Sequence, residues 1–173
     1  MSVRKAAMPM LADTSQPKWR SKRSLFWVAS TSMKPSTKAL VAAVLAVPLM
    51  AAAQTKSTAD GIVDFAIEKF GKLDIMCLNS GGVQNTAPVH MMTNEEWALE
   101  IDWNLNSVFW GMRKALNHMI PRQSGRIIVT SSVEGKLGKP GIPGYAATKH
   151  AVLGLMKAAA KEVGTLGITV NAI

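Results

Sequence analysis

Short, nearly all-apolar runs alternating with amphipathic helical patterns constrain this chain more than any other feature. Leu73-Asp74-Ile75-Met76-Cys77-Leu78 runs into Asn79-Ser80-Gly81-Gly82, and Arg126-Ile127-Ile128-Val129-Thr130 follows Ser124-Gly125. Thr169-Val170-Asn171-Ala172-Ile173 looks like the start of a third such run. Brief apolar stretches bounded by turn residues read as strands buried on both faces.

Helical periodicity fills the intervals. Ser57 or Thr58 can cap a helix over residues 59–70, with Ile62, Val63, Ala66, Ile67 and Phe70 on one side and Gly71 as the stop. Thr93 followed by Glu96 makes a capping box. From there Trp97, Ile101, Leu105, Val108, Met112, Leu116 and Met119 form an apolar stripe up to Pro121. The cluster Asp102, Asn104, Asn106 and Ser107 has poor helix propensity, which predicts a bend or break there. A further helix spans residues 145–164, with Val152, Leu155, Met156, Ala159 and Val163 on its apolar side. Helix and strand in strict alternation imply parallel strands joined by right-handed crossovers, an α/β layer fold. Gly135, Gly138, Gly141 and Gly144 beside Pro140 and Pro143 read as a loop, not as a collagen-like repeat.

Composition narrows the function classes. The lone Cys77 forms no internal disulfide, and His90, His118 and His150 lack metal-ligand spacing, so no metal is expected. Eleven methionines suggest an adaptable interior, and Met91-Met92 a loop beside the substrate or packing under it. The net charge of +9 sits almost wholly in residues 1–58, with nine Lys/Arg against Asp13 alone, whereas residues 59–173 are close to neutral. Bulk charge therefore says little about what the globular part binds.

Residues 1–56 read as a basic, largely disordered leader ahead of a domain at 57–173. Trp19, Phe26 and Trp27 among Lys18, Arg20, Lys22 and Arg23 could stack on single-stranded nucleic acid. No nucleic-acid motif accompanies them, so a solvated or targeting tail is favoured and no nucleic-acid partner is expected. The apolar run at 39–53 is short and interrupted by Pro48, which argues against a stable membrane span. Read with Lys34 and Lys38 it has the layout of an export signal over 33–53; the competing reading is a strand or helix packed on the domain.

The chemistry gathers at strand ends. Ligand crevices in such sheets form at the carboxyl ends of the strands. Ser132 lies just past the second run, and Tyr145 and Lys149, four residues apart, share a helical face. A tyrosine of ordinary pKa about 10 is a poor base at neutral pH, but an adjacent ammonium favours its phenolate. Tyr145 is thus a candidate proton donor and acceptor, Ser132 a hydrogen-bond partner for the same substrate oxygen, and Asn104 a holder of a water linking Lys149 to solvent.

Residues 59–173 resemble the short-chain dehydrogenase/reductase family. The resemblance runs through Phe70-Gly71-Lys72-Leu73-Asp74, Asn79-Ser80-Gly81, Trp103-Asn104-Leu105-Asn106, Ile128-Val129-Thr130-Ser131-Ser132, Tyr145-Ala146-Ala147-Thr148-Lys149 and Val170-Asn171-Ala172, in that order. It implies a partial doubly wound, Rossmann-like parallel sheet of about three strands with flanking helices. It also implies an NAD- or NADP-dependent oxidoreductase acting on a small-molecule carbonyl or secondary alcohol. Tyr145 would be the general acid/base, Ser132 would polarise the substrate oxygen, and Asn104 would support a proton relay. Lys149 would lower the tyrosine pKa and bind the nicotinamide ribose, with Asn79 and Gly81 flanking the cofactor. The family pattern further implies pairing of copies through helices at 93–120 and 145–164, and a cytoplasmic location unless 33–53 is an export signal.

The chain departs from that pattern at Leu78 and Ser80, which replace the usual Asn and Ala, at Ile173, before the expected closing elements, and in its N-terminal part. No glycine precedes Gly61, so the glycine-rich turn that receives a pyrophosphate is absent upstream, and weak or absent dinucleotide binding is expected. The missing elements suggest a truncated fragment, with a non-enzymatic interaction module as the alternative function. The strand at 73–78 would then be an exposed edge, with the run at 39–50 as the candidate to pair with it despite Pro48.

Overall fold

The computed structural model describes residues 42–45 and 56–173. The leader at 1–41 and the remainder of the possible export segment lie outside the described residues, as does Pro48. Four strands, β1 (Ala42–Leu45), β2 (Ile75–Leu78), β3 (Gly125–Val129) and β4 (Ile168–Ala172), form one parallel sheet in the order β1-β2-β3-β4. The helices are α1 (Lys56–Phe70), α2 (Asn94–Ile101), α3 (Ser107–Met119) and α4 (Pro143–Val163). All three strands read from the apolar runs are present. The fourth comes from the run at 39–50, and its residues Ala42 to Leu45 pair with Ile75 to Leu78 along the full length of β2.

Local signals explain most boundaries. Thr93 Oγ1 accepts from the Glu96 amide at 3.2 Å while the Glu96 carboxylate accepts from the Thr93 amide at 2.9 Å, closing the capping box that starts α2. Helix α1 begins at Lys56, so Ser57 and Thr58 fall within its span. It ends at Gly71, whose φ of +78° is a conformation glycine adopts freely. The bend expected near Asp102 is a π turn over Asp102–Asn106, in which the Ser107 amide reaches back five residues to the Asp102 carbonyl. The turn inserts one residue into the helical register. Trp97, expected on the buried stripe, is 44% exposed as a result, and the inward position of α2 belongs to Glu100, which has no exposed surface.

Strands adjacent in sequence are adjacent in the sheet, so right-handed crossovers carry the connecting helices to one face. Burial agrees. Met76, Leu78, Ile127, Val129, Ile168 and Val170 are buried and pack with Val63, Met112, Met119 and Val152 of the helices. Alternate residues Ile75, Cys77 and Ile128 are only partly buried, and Arg126, Thr169 and Asn171 are exposed. This corrects the reading of β2 as a strand buried on both faces. The runs are apolar enough for two-sided burial, but among the described residues only one helical layer covers the sheet. Cys77 lies on the less covered face, where partial burial still pushes its thiol pKa up.

At the amino end of β2 a polar lock ties helix to sheet. Arg122 donates to the Leu73 carbonyl at 2.9 Å and to Asp74 at 2.6 Å, and Lys72 pairs with the other Asp74 oxygen at 2.9 Å. Burial alone would raise the Asp74 pKa, but the bonds from Arg122 and Lys72 outweigh it and hold the carboxyl below its usual range. His118 Nε2 accepts from the Leu73 amide at 3.1 Å and lies 3.0 Å from Arg122 Nη1. Burial, aided by Arg122 and opposed by Asp74, pushes the His118 pKa below 6.5. His118 is therefore neutral when folded and takes up a proton on unfolding in mild acid, so its contribution is complete above pH 6.5 and is lost as pH falls through the folded pKa. Thermal melts at stepped pH should show a midpoint falling below pH 6.5, and His118→Gln should flatten that fall. An unchanged slope in the variant would assign the effect to other groups.

Candidate active site

The carboxyl ends of β2 and β3 converge at one spot because the two strands are parallel neighbours. Asn79 and Thr130, the residues just past each strand, are joined by a 2.7 Å bond from the Thr130 hydroxyl to the Asn79 side-chain oxygen. The Thr130 carbonyl accepts from Lys149 Nζ at 2.8 Å. Lys149 is 2% exposed, and burial pushes the pKa of its ammonium below 10.5. The same Nζ lies 5.7 Å from the centre of the Tyr145 ring, one turn earlier on α4. Lys149 thus reaches the tip of β3, with the Tyr145 ring beside its ammonium.

Gly81 brings the third element in. Its φ of +139° favours glycine, and a Cβ there would lie 2.6 Å from Asn104 Oδ1 and 3.0 Å from Lys149 Nζ. Asn104, with no exposed surface, sits in the π turn. Its Oδ1 accepts from the Gly82 amide at 2.8 Å, and its Nδ2 faces the Gly82 carbonyl and the Glu100 carbonyl at 3.1 Å and Glu100 Oε2 at 2.7 Å. The Asn104 side chain is therefore fully engaged with loop and helix. These bonds hold the Gly82 backbone next to Gly81, whose missing Cβ leaves room for Lys149.

Ser132 enters from the tip of β3, two residues beyond the carbonyl that takes Lys149. Its Oγ accepts from the Glu134 amide at 3.2 Å, and it lines an open hollow of about 740 Å³ with Val133, Leu137, Leu153 and Ile173. The adjacent Ser131 hydroxyl donates to the Lys149 carbonyl at 3.4 Å, tying this loop to α4. Tyr145, Lys149, Gly81 and Asn104 thus form one group and Asn79 joins it through Thr130, whereas Ser132 lines the hollow beyond Thr130, of which Tyr145 and Lys149 are not lining residues. Glu100 and Thr130 belong to the same network and were not singled out from sequence. The available signal was an acid one helical turn before Asn104.

The chain matches the short chain dehydrogenase family over residues 27–173, and it belongs to that family. It is 43% identical over 107 residues to the 3-oxoacyl-[acyl-carrier-protein] reductase FabG of Staphylococcus aureus, an alignment covering 62% of this chain and 43% of that protein. It is 44% identical over 106 residues to a 3beta-hydroxysteroid dehydrogenase of Mediterraneibacter gnavus, covering 61% of this chain and 38% of the relative. Among solved structures it resembles levodione reductase, with a TM-score of 0.68, 34% identity, and 72% and 48% of the two chains covered. NAD+-bound xylitol dehydrogenase gives a TM-score of 0.66 at 29% identity, with 69% and 46% covered. The chain spans less than half the length of these relatives. Among the described residues no helix is long and apolar enough to cross a membrane, and no cluster of three His, Cys, Asp or Glu is placed to hold a metal.

Gly81 offers a direct check of the geometry. Gly81→Ala forces a side chain into a glycine-type backbone conformation and against Asn104 and Lys149, so it should destabilise the protein by about 1–3 kcal/mol. Urea unfolding that gives the wild-type midpoint for this variant would mean that the loop is not packed this way.

Proposed function

We propose that residues 57–173 form the catalytic domain of an NAD- or NADP-dependent oxidoreductase that interconverts a small-molecule carbonyl and its secondary alcohol. The observation that carries this reading is the Lys149 ammonium, 2% exposed, held 5.7 Å from the ring of the chain's one tyrosine. That placement sets a positive charge beside the phenol. Tyr145 then gives a proton to the substrate oxygen during reduction and takes one back during oxidation. Ser132 hydrogen-bonds the same oxygen and fixes it for that transfer. Lys149 supplies the field, and Asn104 keeps the Gly81–Gly82 backbone in place. A bound nicotinamide supplies the hydride.

The nicotinamide end of such a cofactor fits the residues present. Lys149 and Tyr145 offer a cation and a hydroxyl beside the bare Gly81 backbone, where a side chain would intrude on both Lys149 and Asn104. The pyrophosphate end is less well served, because the first sixty residues hold no glycine to let the backbone approach it closely. Weak dinucleotide affinity follows. The xylitol dehydrogenase neighbour is NAD+-bound and another neighbour, ElxO, is NADP-bound, and either cofactor is compatible with this site.

Titration with NADH and NADPH should give a dissociation constant weaker than micromolar. With cofactor in excess and a panel of small ketones, Tyr145→Phe should lower turnover by about a hundredfold or more, the scale of a lost proton donor. Turnover equal to wild type would remove Tyr145 from the chemistry.

A second reading, an interaction module, rests on the outer surface of α2 and α3, where Trp97 and Phe109 are 44% and 39% exposed and Leu99 is 41% exposed. Apolar exposure of this kind suits pairing of copies through residues 93–120 and 145–164. Sedimentation velocity should show a species larger than the monomer that Phe109→Glu converts to monomer. A monomeric wild type at tens of micromolar would exclude this surface. A cytoplasmic location fits the proposed chemistry.

A further inference from the structure

Glu100 is the one fully buried acid among the described residues. Its Oε1 accepts from the amides of Gln84 at 2.7 Å and Asn85 at 3.0 Å, and its Oε2 accepts from Asn104 Nδ2 at 2.7 Å. Its stem presses on the first turn of α4: a Cβ at Gly144 would come within 2.9 Å of Glu100 Cγ and 3.1 Å of its Cβ. Gly144 immediately precedes Tyr145. One side chain therefore touches the loop after β2, the asparagine of the π turn and the turn that launches Tyr145 and Lys149.

The direction of the hydrogen bonds fixes the chemistry required at position 100. Asn104 cannot turn its amide around, because Oδ1 would then face the carbonyls of Gly82 and Glu100, and Nδ2 would face the Gly82 amide. Nδ2 therefore always points at position 100. On the other side, the Gln84 and Asn85 amides also donate to it. A side chain there must accept at both ends, and only a carboxylate of this length does so. A glutamine of the same shape would set its own NH2 against a donor in either orientation and leave a buried polar group unmatched.

We propose that Glu100 is a positioning residue: its carboxylate clamps the Gly82–Asn85 loop to Asn104 and thereby holds Gly81 against Lys149. The catalytic consequence rests on the oxidoreductase reading, whereas the geometric claim does not. In the labelled wild-type protein, the Gln84 and Asn85 amides should exchange slowly and show scalar coupling across the hydrogen bond to the Glu100 carboxyl carbon. Absence of both signals would overturn the proposal.

Glu100→Gln should stay folded yet exchange at Gly82, Gln84 and Asn85 faster by about tenfold or more, beyond any change at the core amides of Ile127 and Val170. Val152→Ala, a cavity in the core of α4, should speed all of these amides together. A uniform change in Glu100→Gln, or failure of that variant to fold, would make Glu100 an ordinary support of the fold and overturn the site-confined role. Where the wild type turns over, Glu100→Gln should lower kcat about tenfold with little change in KM, and Val152→Ala should leave both near wild type at a temperature where it is folded. An unchanged kcat would overturn the positioning role. A wild type with no turnover sinks the oxidoreductase reading alone, and the exchange measurements then decide the clamp.

Discussion

A lysine ammonium enclosed by protein is an expensive object, costing several kcal/mol in lost hydration unless the surroundings answer for it. Lys149 has no carboxylate partner among the described residues. Its compensation is a 2.8 Å bond to the Thr130 carbonyl and the face of the Tyr145 ring. These are a dipole and a ring quadrupole, weaker than an anion, which is why burial depresses the pKa of the amine. The arrangement leaves the cation under-compensated.

Three backbone decisions serve that enclosure. Strand β3 must end at Val129 so that the Thr130 carbonyl is free to leave the sheet ladder and accept from lysine. The loop after β2 must pass close enough for Gly81 to touch Nζ. The long helical region at 94–119 must turn Asn104 inward while keeping Val108, Met112 and Met119 on the core. A regular helix keeps one register throughout, whereas the π turn at Asp102–Asn106 shifts it by a residue and reconciles the polar network of α2 with the apolar packing of α3. The irregularity sits where two demands on one helix meet.

Much of this was legible in the sequence, for reasons that differ by residue. The strands declared themselves as apolar runs ending in turn residues, and the parallel order followed from alternation with helices. Tyr145 and Lys149 were legible because spacing on a helix converts directly into shared direction. Glu100 was not, because a lone acid on a helix ordinarily marks the solvated face, and only the register shift downstream turns that position inward. The same shift placed Trp97 on the wrong side. The single covering layer was also hidden, since an apolar run reads alike whether one or both faces are packed. Ser132 was placed correctly at a strand tip, but its resting bond to the Glu134 amide depends on a short local turn that no periodicity encodes.

The sheet edge shows how fold and chemistry can be satisfied separately. Strand β1 pairs with all four residues of β2 and so removes the unpaired edge that the latter would otherwise present. Any apolar segment of suitable length meets that requirement, because ladder bonds are made by backbone. Reception of a pyrophosphate asks for more. The connection leaving the carboxyl end of β1 toward α1 must bring bare amides to within hydrogen-bond distance of a dianion, and that needs residues without a Cβ. The ten residues at 46–55 contain no glycine and include Pro48, which has no amide hydrogen at all. The strand at 42–45 meets the first requirement, while the ten residues after it lack the glycine that the second asks for. The contacts described around Tyr145 and Lys149 draw on neither property, since they come from residues 79–149.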